Sequence, residues 1–551
     1  MSTVAHSRFS SLIPVLAGLL AMSTVFPVAA QSFRVQCPNG TVIHPANVAG
    51  TTQNPVDSMI EGDPTRPTAA QANPQIKCQH ISGGDGYATM GDGQQVYLFG
   101  FGPLSGIADQ AQGLPGTETA QTFNGPFVGP TFPGDGVAPN NAGITEPALI
   151  MNNGVLAAMA PAPQMAIDED DEFFLTLSNV GMIMRPDLFE QHTVHFHGYP
   201  NASSYFDGVP DASVAINIAG SFTYYYTAPD AGTYFWHCHI TPPEHLQMGM
   251  EGQLYVRPRQ NRLPVGASLY AALYNYENPA APLTAAPAGT LTSYPNVWFP
   301  PESCAIDILC STPVPPANRA VQVADTSGTP AKYAYNDGDG STRYDVEYPI
   351  QMMGFDPNFH FIGMTFNPEP FYDMKDKYFL LSGRGYPDTI GVPGYAGLPA
   401  SSTNPAALPV AAGTASNPAV APGALTTLDS DAVQRMSQPQ PTLITINKTA
   451  GQTRALLRLS NLSVTEYHTL ATVGVPMQVI GFHARLLRDL AGNNMYYTTN
   501  SITMGGGESA DVILDVTNVP QGTYFLYTTQ LDHLSNDAEN FGGMMTEIQV
   551  L

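Results

Sequence analysis

The chain has 551 residues, with 45 Asp and Glu against 20 Lys and Arg and a formal net charge of −25. So acidic a balance argues against nucleic acid or an anionic membrane as partner and favours solubility and the attraction of cations. At about 150 residues per domain the length exceeds one core, and sandwich domains with long loops bring the expectation to two or three.

Residues 1–30 carry Arg8, an apolar stretch from Leu12 to Val28 and a small-residue end at Ala29 and Ala30. This pattern predicts a secretory signal peptide and a periplasmic or extracellular protein. Ser23, Thr24 and Pro27 interrupt the apolar run and no later segment reaches spanning length, so no membrane span is expected after processing. The chain holds five cysteines. In an oxidising compartment Cys37 with Cys78, and Cys304 with Cys310, are the expected disulfides, which leaves Cys238 over.

After an N-terminal extension at 31–88, short apolar runs separated by turn residues predict an all-β chain, in keeping with 51 glycines and 50 prolines. A first domain, 89–258, contains strands at Gln95–Phe101, Glu172–Leu177, Thr193–His197, Phe222–Thr227, Gly232–His237 and Gln253–Val256. Residues 259–340 read as a linker with a small disulfide loop. A second domain, 341–551, repeats the pattern at Tyr344–Met353, Tyr378–Ser382, Thr442–Ile446, Ala455–Leu459, Met477–Ile480, Ala510–Val516 and Gly522–Thr528, with a Pro/Ala-rich insertion at 387–441. Gly232-Thr-Tyr-Phe-Trp-His-Cys-His aligns with Gly522-Thr-Tyr-Phe-Leu-Tyr-Thr-Thr, which predicts an internal duplication.

Two segments carry the chemistry: His192-Thr-Val-His195-Phe-His197-Gly198, and His237-Cys238-His239 followed by His245, Met248 and Met250. Side chains alternate faces along a strand, so His195 and His197 share one face and His192 takes the other. The same parity puts Cys238 opposite His237 and His239. If the two strands are neighbours, His192 and Cys238 meet, and His245 closes a two-histidine, one-cysteine copper site with Met250, or alternatively Met248, as the weak axial thioether. As plain core residues, so many imidazoles in one place would cost desolvation with no metal to offset it.

The pattern His-x-x-His-x-His-Gly, then His-Cys-His-Ile and a downstream histidine, resembles the multicopper oxidases, the laccase and ascorbate-oxidase kin. The resemblance implies two cupredoxin (Greek-key β-sandwich) domains. It implies type 1 copper at His192, Cys238 and His245, and type 2/type 3 copper ligands at His195, His197, His237 and His239. A small-molecule, metal-ion or protein reductant would give electrons at Cys238, and dioxygen would accept them at the second site. Asp207 resembles the family's proton-delivery group, with a surface turn aspartate as the alternative. Glu244, beside His245, is read as solvated, with a contact to substrate as the alternative.

The family's cluster takes histidines from two domains, and the second domain here departs from the pattern. His468 survives, but Ala471 and Val473 stand where His195 and His197 would be, and Tyr527, Thr528 and Thr529 replace His-Cys-His. That excludes a second type 1 copper. The isolated His44, His80, His360, His483 and His533 are read as core or surface residues, with His360 and His533 the first to check as stray ligands. Three readings follow: an oxidase completed across a homo-oligomer interface, a relative of the copper nitrite reductases, or a secreted blue-copper electron carrier or copper binder without catalysis.

Overall fold

The computed structural model describes residues 33–551 except 48–68, 93, 130–136, 199–202, 229, 270, 273–320, 364–369, 392–437, 490–491 and 541. The expected signal peptide, the expected Cys304–Cys310 disulfide and most of the 387–441 insertion lie outside the described residues. Among the described residues no helix is long and apolar enough to cross a membrane.

The first sandwich is built from β1 (Ile76–Thr89), β2 (Gln95–Pro103), β3 (Glu118–Thr119), β4 (Met165–Asp168), β5 (Glu172–Gly181), β6 (His195–Phe196), β7 (Ser221–Thr227), β8 (Gly232–His237) and β9 (Glu251–Arg257). One sheet runs β2-β1-β5-β7, with β3 beside β1, and the facing sheet runs β4-β9-β8-β6. A small hairpin, β10 (Lys332–Tyr333) and β11 (Arg343–Tyr344), precedes the second sandwich.

That sandwich comprises β12 (Val346–Phe355), β13 (Tyr378–Leu381), β14 (Ile444–Ile446), β15 (Arg454–Asn461), β16 (His468–Thr472), β17 (Met477–Phe482), β18 (Arg485–Leu486), β19 (Tyr497–Thr499), β20 (Ser501–Met504), β21 (Ser509–Asp515), β22 (Gly522–Thr528) and β23 (Met545–Val550). Its sheets run β13-β12-β15-β21-β17-β18 and β14-β23-β22-β16-β20.

The two sandwiches repeat one pairing scheme. In the first, β1 lies parallel to β5 and antiparallel to β2; in the second, β12 has the same relations to β15 and β13. Parallel β4–β9 has its counterpart in β14–β23, and antiparallel β8–β9 in β22–β23. The register agrees to the residue. His195 lies opposite His237 and Phe196 opposite Trp236, while Ala471 lies opposite Tyr527 and Thr472 opposite Leu526. The expected all-β, two-cupredoxin architecture is therefore present, and so is the duplication.

Strand parity explains the packing. On β5, Phe173, Leu175 and Leu177 enter the first sandwich core, whereas Phe174 faces outward onto Cys37, Cys78, Ala120 and Phe123. Residues 33–47 thus cover the outer face of the first sheet, tied to β1 by the Cys37–Cys78 disulfide, and Phe33 packs with Leu104, Ile144, Ile150 and Val180. The part of 31–88 set apart as an extension includes β1 from Ile76 onward, an inner strand of this sheet. Its Ser and Gly residues hide the strand pattern from a reading of the sequence.

The sandwiches meet along β8. Tyr234 and Trp236 point into the first core, but Phe235 packs with Met353, Phe355, Leu380 and Leu462 of the second. Thr233 donates to Asp511 (2.6 Å), and its carbonyl accepts from Ser509 Oγ (2.5 Å). Fully buried Arg458 on β15 pairs with Glu347 at 3.0 Å and Asp511 at 3.4 Å, its guanidinium 4.7 Å from the Tyr255 ring centre. Gln253 of β9 donates to the Arg458 carbonyl and to Ser460 Oγ.

Candidate metal centre

The end of β8 delivers two side-chain groups to opposite faces. On the inner face His192, Cys238 and His245 converge, with potential donor atoms within 4.8 Å of one another and all three residues buried. Cys238 Sγ lies 3.3 Å from His245 Nδ1 and accepts from the Thr193 backbone N–H at 3.4 Å. His245 sits on the short helix Pro242–Gln247, which starts after Thr241 in the left-handed region (φ 37°). That reversal turns the chain back so that Met250 N–H donates to the His245 carbonyl (2.9 Å) and Cys238 N–H to the Met250 carbonyl (3.0 Å). Met248 and Met250 are both buried in the core that contains Cys238.

Burial pushes the Cys238 thiol up, but the His245 charge and hydrogen bond and the Ile240 and Thr193 backbone groups outweigh it, and the net shift is downward. Burial lowers His245, yet Cys238 and Glu190 raise it to about 9. The two groups favour each other's charged forms, and a cation can displace the proton they share. Burial drives His192 well below its ordinary value, and neither of its ring nitrogens has a hydrogen-bond partner. An imidazole held neutral and unpartnered beside a cysteine sulfur fits copper.

On the outer face His195, His197 and His237 bring one nitrogen each within 4.8 Å of the others. His195 Nδ1 donates to the Asp207 carbonyl (2.7 Å) and His237 Nδ1 to the Cys238 carbonyl (2.6 Å), which leaves the Nε2 lone pair of each ring for a ligand. His197 Nε2 lies 3.0 Å from His237 Nε2, and His197 also bonds to the backbone of Gly507 in the second sandwich. Burial, reinforced by neighbouring imidazoles, lowers His237 to about 3 and His197 to about 4. His239 stacks on His237 with ring centres 5.5 Å apart and meets His195 edge-on at 5.1 Å. Unlike the inner group, this one is open, with His197 exposed and His195 and His239 half-buried.

Asp207 adds a carboxylate oxygen 3.6 Å from His195 Nδ1. Among the stray histidines, His360 bonds to the Tyr97 carbonyl and His80 to Ser178 Oγ and the Ile144 carbonyl, both deep in the fold. His44 pairs with Glu172 and His483 with Glu508. Glu190 was not singled out by the sequence: its Oε2 lies 3.5 Å from His245 Nε2. The available signal was its place two residues before His192, a spacing repeated by Glu466 before His468.

Residues 141–261 match the family model described as multicopper oxidase. Over 103 residues the chain is 33% identical to a multicopper oxidase of Talaromyces pinophilus, spanning 18% of this chain and 16% of that protein. Over 104 residues it is 32% identical to a laccase of Aspergillus fumigatus, again 18% and 16%. The match therefore spans about a sixth of the length of these curated relatives. Similar solved structures include a blue copper oxidase from Nitrosomonas europaea (TM-score 0.45, 16% identity, 86% of this chain and 85% of that one). A copper nitrite reductase from Nitrosomonas europaea has a TM-score of 0.40 at 12% identity, covering 86% and 93%. Residues 141–261, the part of the chain that matches the multicopper oxidase family model, carry both histidine groups and Cys238.

Proposed function

We propose that the chain is a copper oxidoreductase that takes electrons from a reductant at a type 1 copper and passes them through His237-Cys238-His239 to a second copper site, where dioxygen is reduced. The observation that carries this reading is that the buried and open ligand groups are joined by a single peptide bond, Cys238 serving one face and His237 the other. His192, Cys238, His245 and the Met250 thioether would hold the type 1 copper; His195, His197, His237 and His239 would hold type 2/type 3 copper. Copper supplies one-electron chemistry at each.

The protein's own groups then have separate tasks. The buried inner pocket excludes water and oxygen from the thiolate. Glu190 orients His245 through Nε2 and keeps its Nδ1 toward Cys238. The Asp207 and Cys238 carbonyls fix the tautomers of His195 and His237, and the Asp207 carboxylate, beside His195, can carry protons to the open face.

The second sandwich offers Ala471, Val473, Tyr527 and Thr529 at the four equivalent positions, so the remaining ligands would come from another copy of the chain. The apolar pattern of residues 1–30 and the Cys37–Cys78 disulfide support export to the periplasm or exterior. The acidic charge favours a cationic small molecule or metal ion as reductant.

The test is copper stoichiometry, visible and paramagnetic resonance spectra, solution mass and oxygen uptake on copper-loaded protein. An oligomer with blue copper, type 2 signals and reductant-dependent oxygen uptake is expected. One blue copper per monomer with no uptake would make the protein an electron carrier, and anaerobic nitrite consumption would make it a nitrite reductase.

A further inference from the structure

The second sandwich repeats the frame of the first one's inner pocket without its thiol. His468 and His533 face each other with ring centres 5.3 Å apart, as His192 and His245 do at 5.4 Å. Thr528 ends β22 where Cys238 follows β8. Met544 N–H donates to the His533 carbonyl (3.0 Å) and Thr528 N–H to the Met544 carbonyl (3.0 Å), matching the backbone frame around His245, Cys238 and Met250. Glu466 Oε2 lies 2.9 Å from His533 Nε2, as Glu190 lies against His245. Phe379 on β13 stacks on His533, where Phe99 on β2 meets His245 edge-on.

The two rings are oriented as ligands. His468 Nε2 is 2.6 Å from Ser463 Oγ, and His533 Nε2 is held by Glu466. Each ring is thereby anchored at Nε2, and each Nδ1 is buried with no hydrogen-bond partner. An unsatisfied buried polar atom costs about 1–3 kcal/mol, and two on neighbouring rings is a cost that a histidine kept only for packing would not explain. A carboxylate on the far nitrogen is the usual support for a metal-bound imidazole.

We propose that His468 and His533 bind a cuprous ion through their Nδ1 atoms, with Thr528 Oγ1 and the Met544 thioether at the remaining positions. Two imidazoles and a thioether without a thiolate suit monovalent copper, and lack of the thiolate makes the site colourless. This copper is additional to those of the first sandwich and does not depend on the oxidase reading.

The test is cuprous titration of the full-length protein against a bicinchoninate competitor. His468→Ala and His533→Ala are each expected to lose one copper equivalent per chain relative to the parent, with the blue absorption of the Cys238 site unchanged. An unchanged copper count in folded variants would overturn the proposal. Should the alanine variants fail to fold, the double variant Cys238→Ser/Thr528→Cys decides. A blue chromophore in that protein can come only from the second pocket and supports the site; a folded but colourless double variant rejects it.

Discussion

His197 Nε2 and His237 Nε2 stand 3.0 Å apart, on rings whose other nitrogens face backbone groups. With His237 Nδ1 donating to the Cys238 carbonyl, the His237 Nε2 lone pair can be met at that distance only by a proton or a metal ion. The pocket between these rings is therefore set up to exchange a proton for a cation.

His197→Ala removes one side of that pair without touching the inner pocket. Copper per chain is expected to fall and oxygen uptake to drop at least about 100-fold, the upper range for loss of even a supporting ligand contact. The blue band should persist. Copper analysis with visible spectra on one preparation checks both, and loss of the blue band would show that the two groups are not independent.

The axial position separates two methionines. Removing a thioether donor destabilises cupric more than cuprous copper, so Met250→Leu should raise the reduction potential of the blue site while Met248→Leu leaves it in place. Spectroelectrochemical titration distinguishes them, and a shift in the Met248 variant alone would reassign the ligand.

His80 gives a pH signature outside the metal groups. Burial lowers it from 6.5 to about 3 against a smaller opposing contribution from the Ile144 carbonyl. Between these values the unfolded chain binds a proton that the folded chain does not, so stability rises with pH there and is lost as pH falls below 6.5. His80→Asn should be less stable than the parent at pH 7, because it gives up the Ser178 bond. The gap should narrow by on the order of 2 kcal/mol by pH 5. Urea midpoints at the two pH values measure it, and a constant gap would contradict the assignment.

Arg458 joins Glu347, Asp511 and the Tyr255 ring across the domain contact. Arg458→Ala leaves Asp511 buried without its cation, while Glu347 keeps Arg257 at 3.0 Å, and should cost about 3–5 kcal/mol. Chemical denaturation would report it, together with a loss of cooperativity between the sandwiches. A change under about 1 kcal/mol would mean the surrounding carboxylates take up protons instead.

Much of this was legible because strand parity is a local rule. The facing of Cys238 against His237 and His239, and the absence of ligands at Ala471, Val473, Tyr527 and Thr529, needed only residue spacing and one internal alignment. Glu190, Glu466 and the pairing of His468 with His533 were not legible. Each depends on a loop returning to a strand: Glu190 reaches His245 across 55 positions of chain only because the Thr241 reversal brings the helix back. The Cys37–Cys78 disulfide followed from export and counting, but what it fastens, a cover for the outward Phe174, required the sheet.

Strand β8 belongs to both sandwiches at once. Phe235 and Thr233 are held by the second sandwich while Tyr234 and Trp236 are held by the first, and His237 and Cys238 continue the same alternation. A chain built this way cannot adjust its domain contact and its metal groups separately. Any substitution that lets the sandwiches slide also tilts the one strand on which both groups depend, so a domain that has shed its own thiolate stays indispensable as the surface against which the other is aligned.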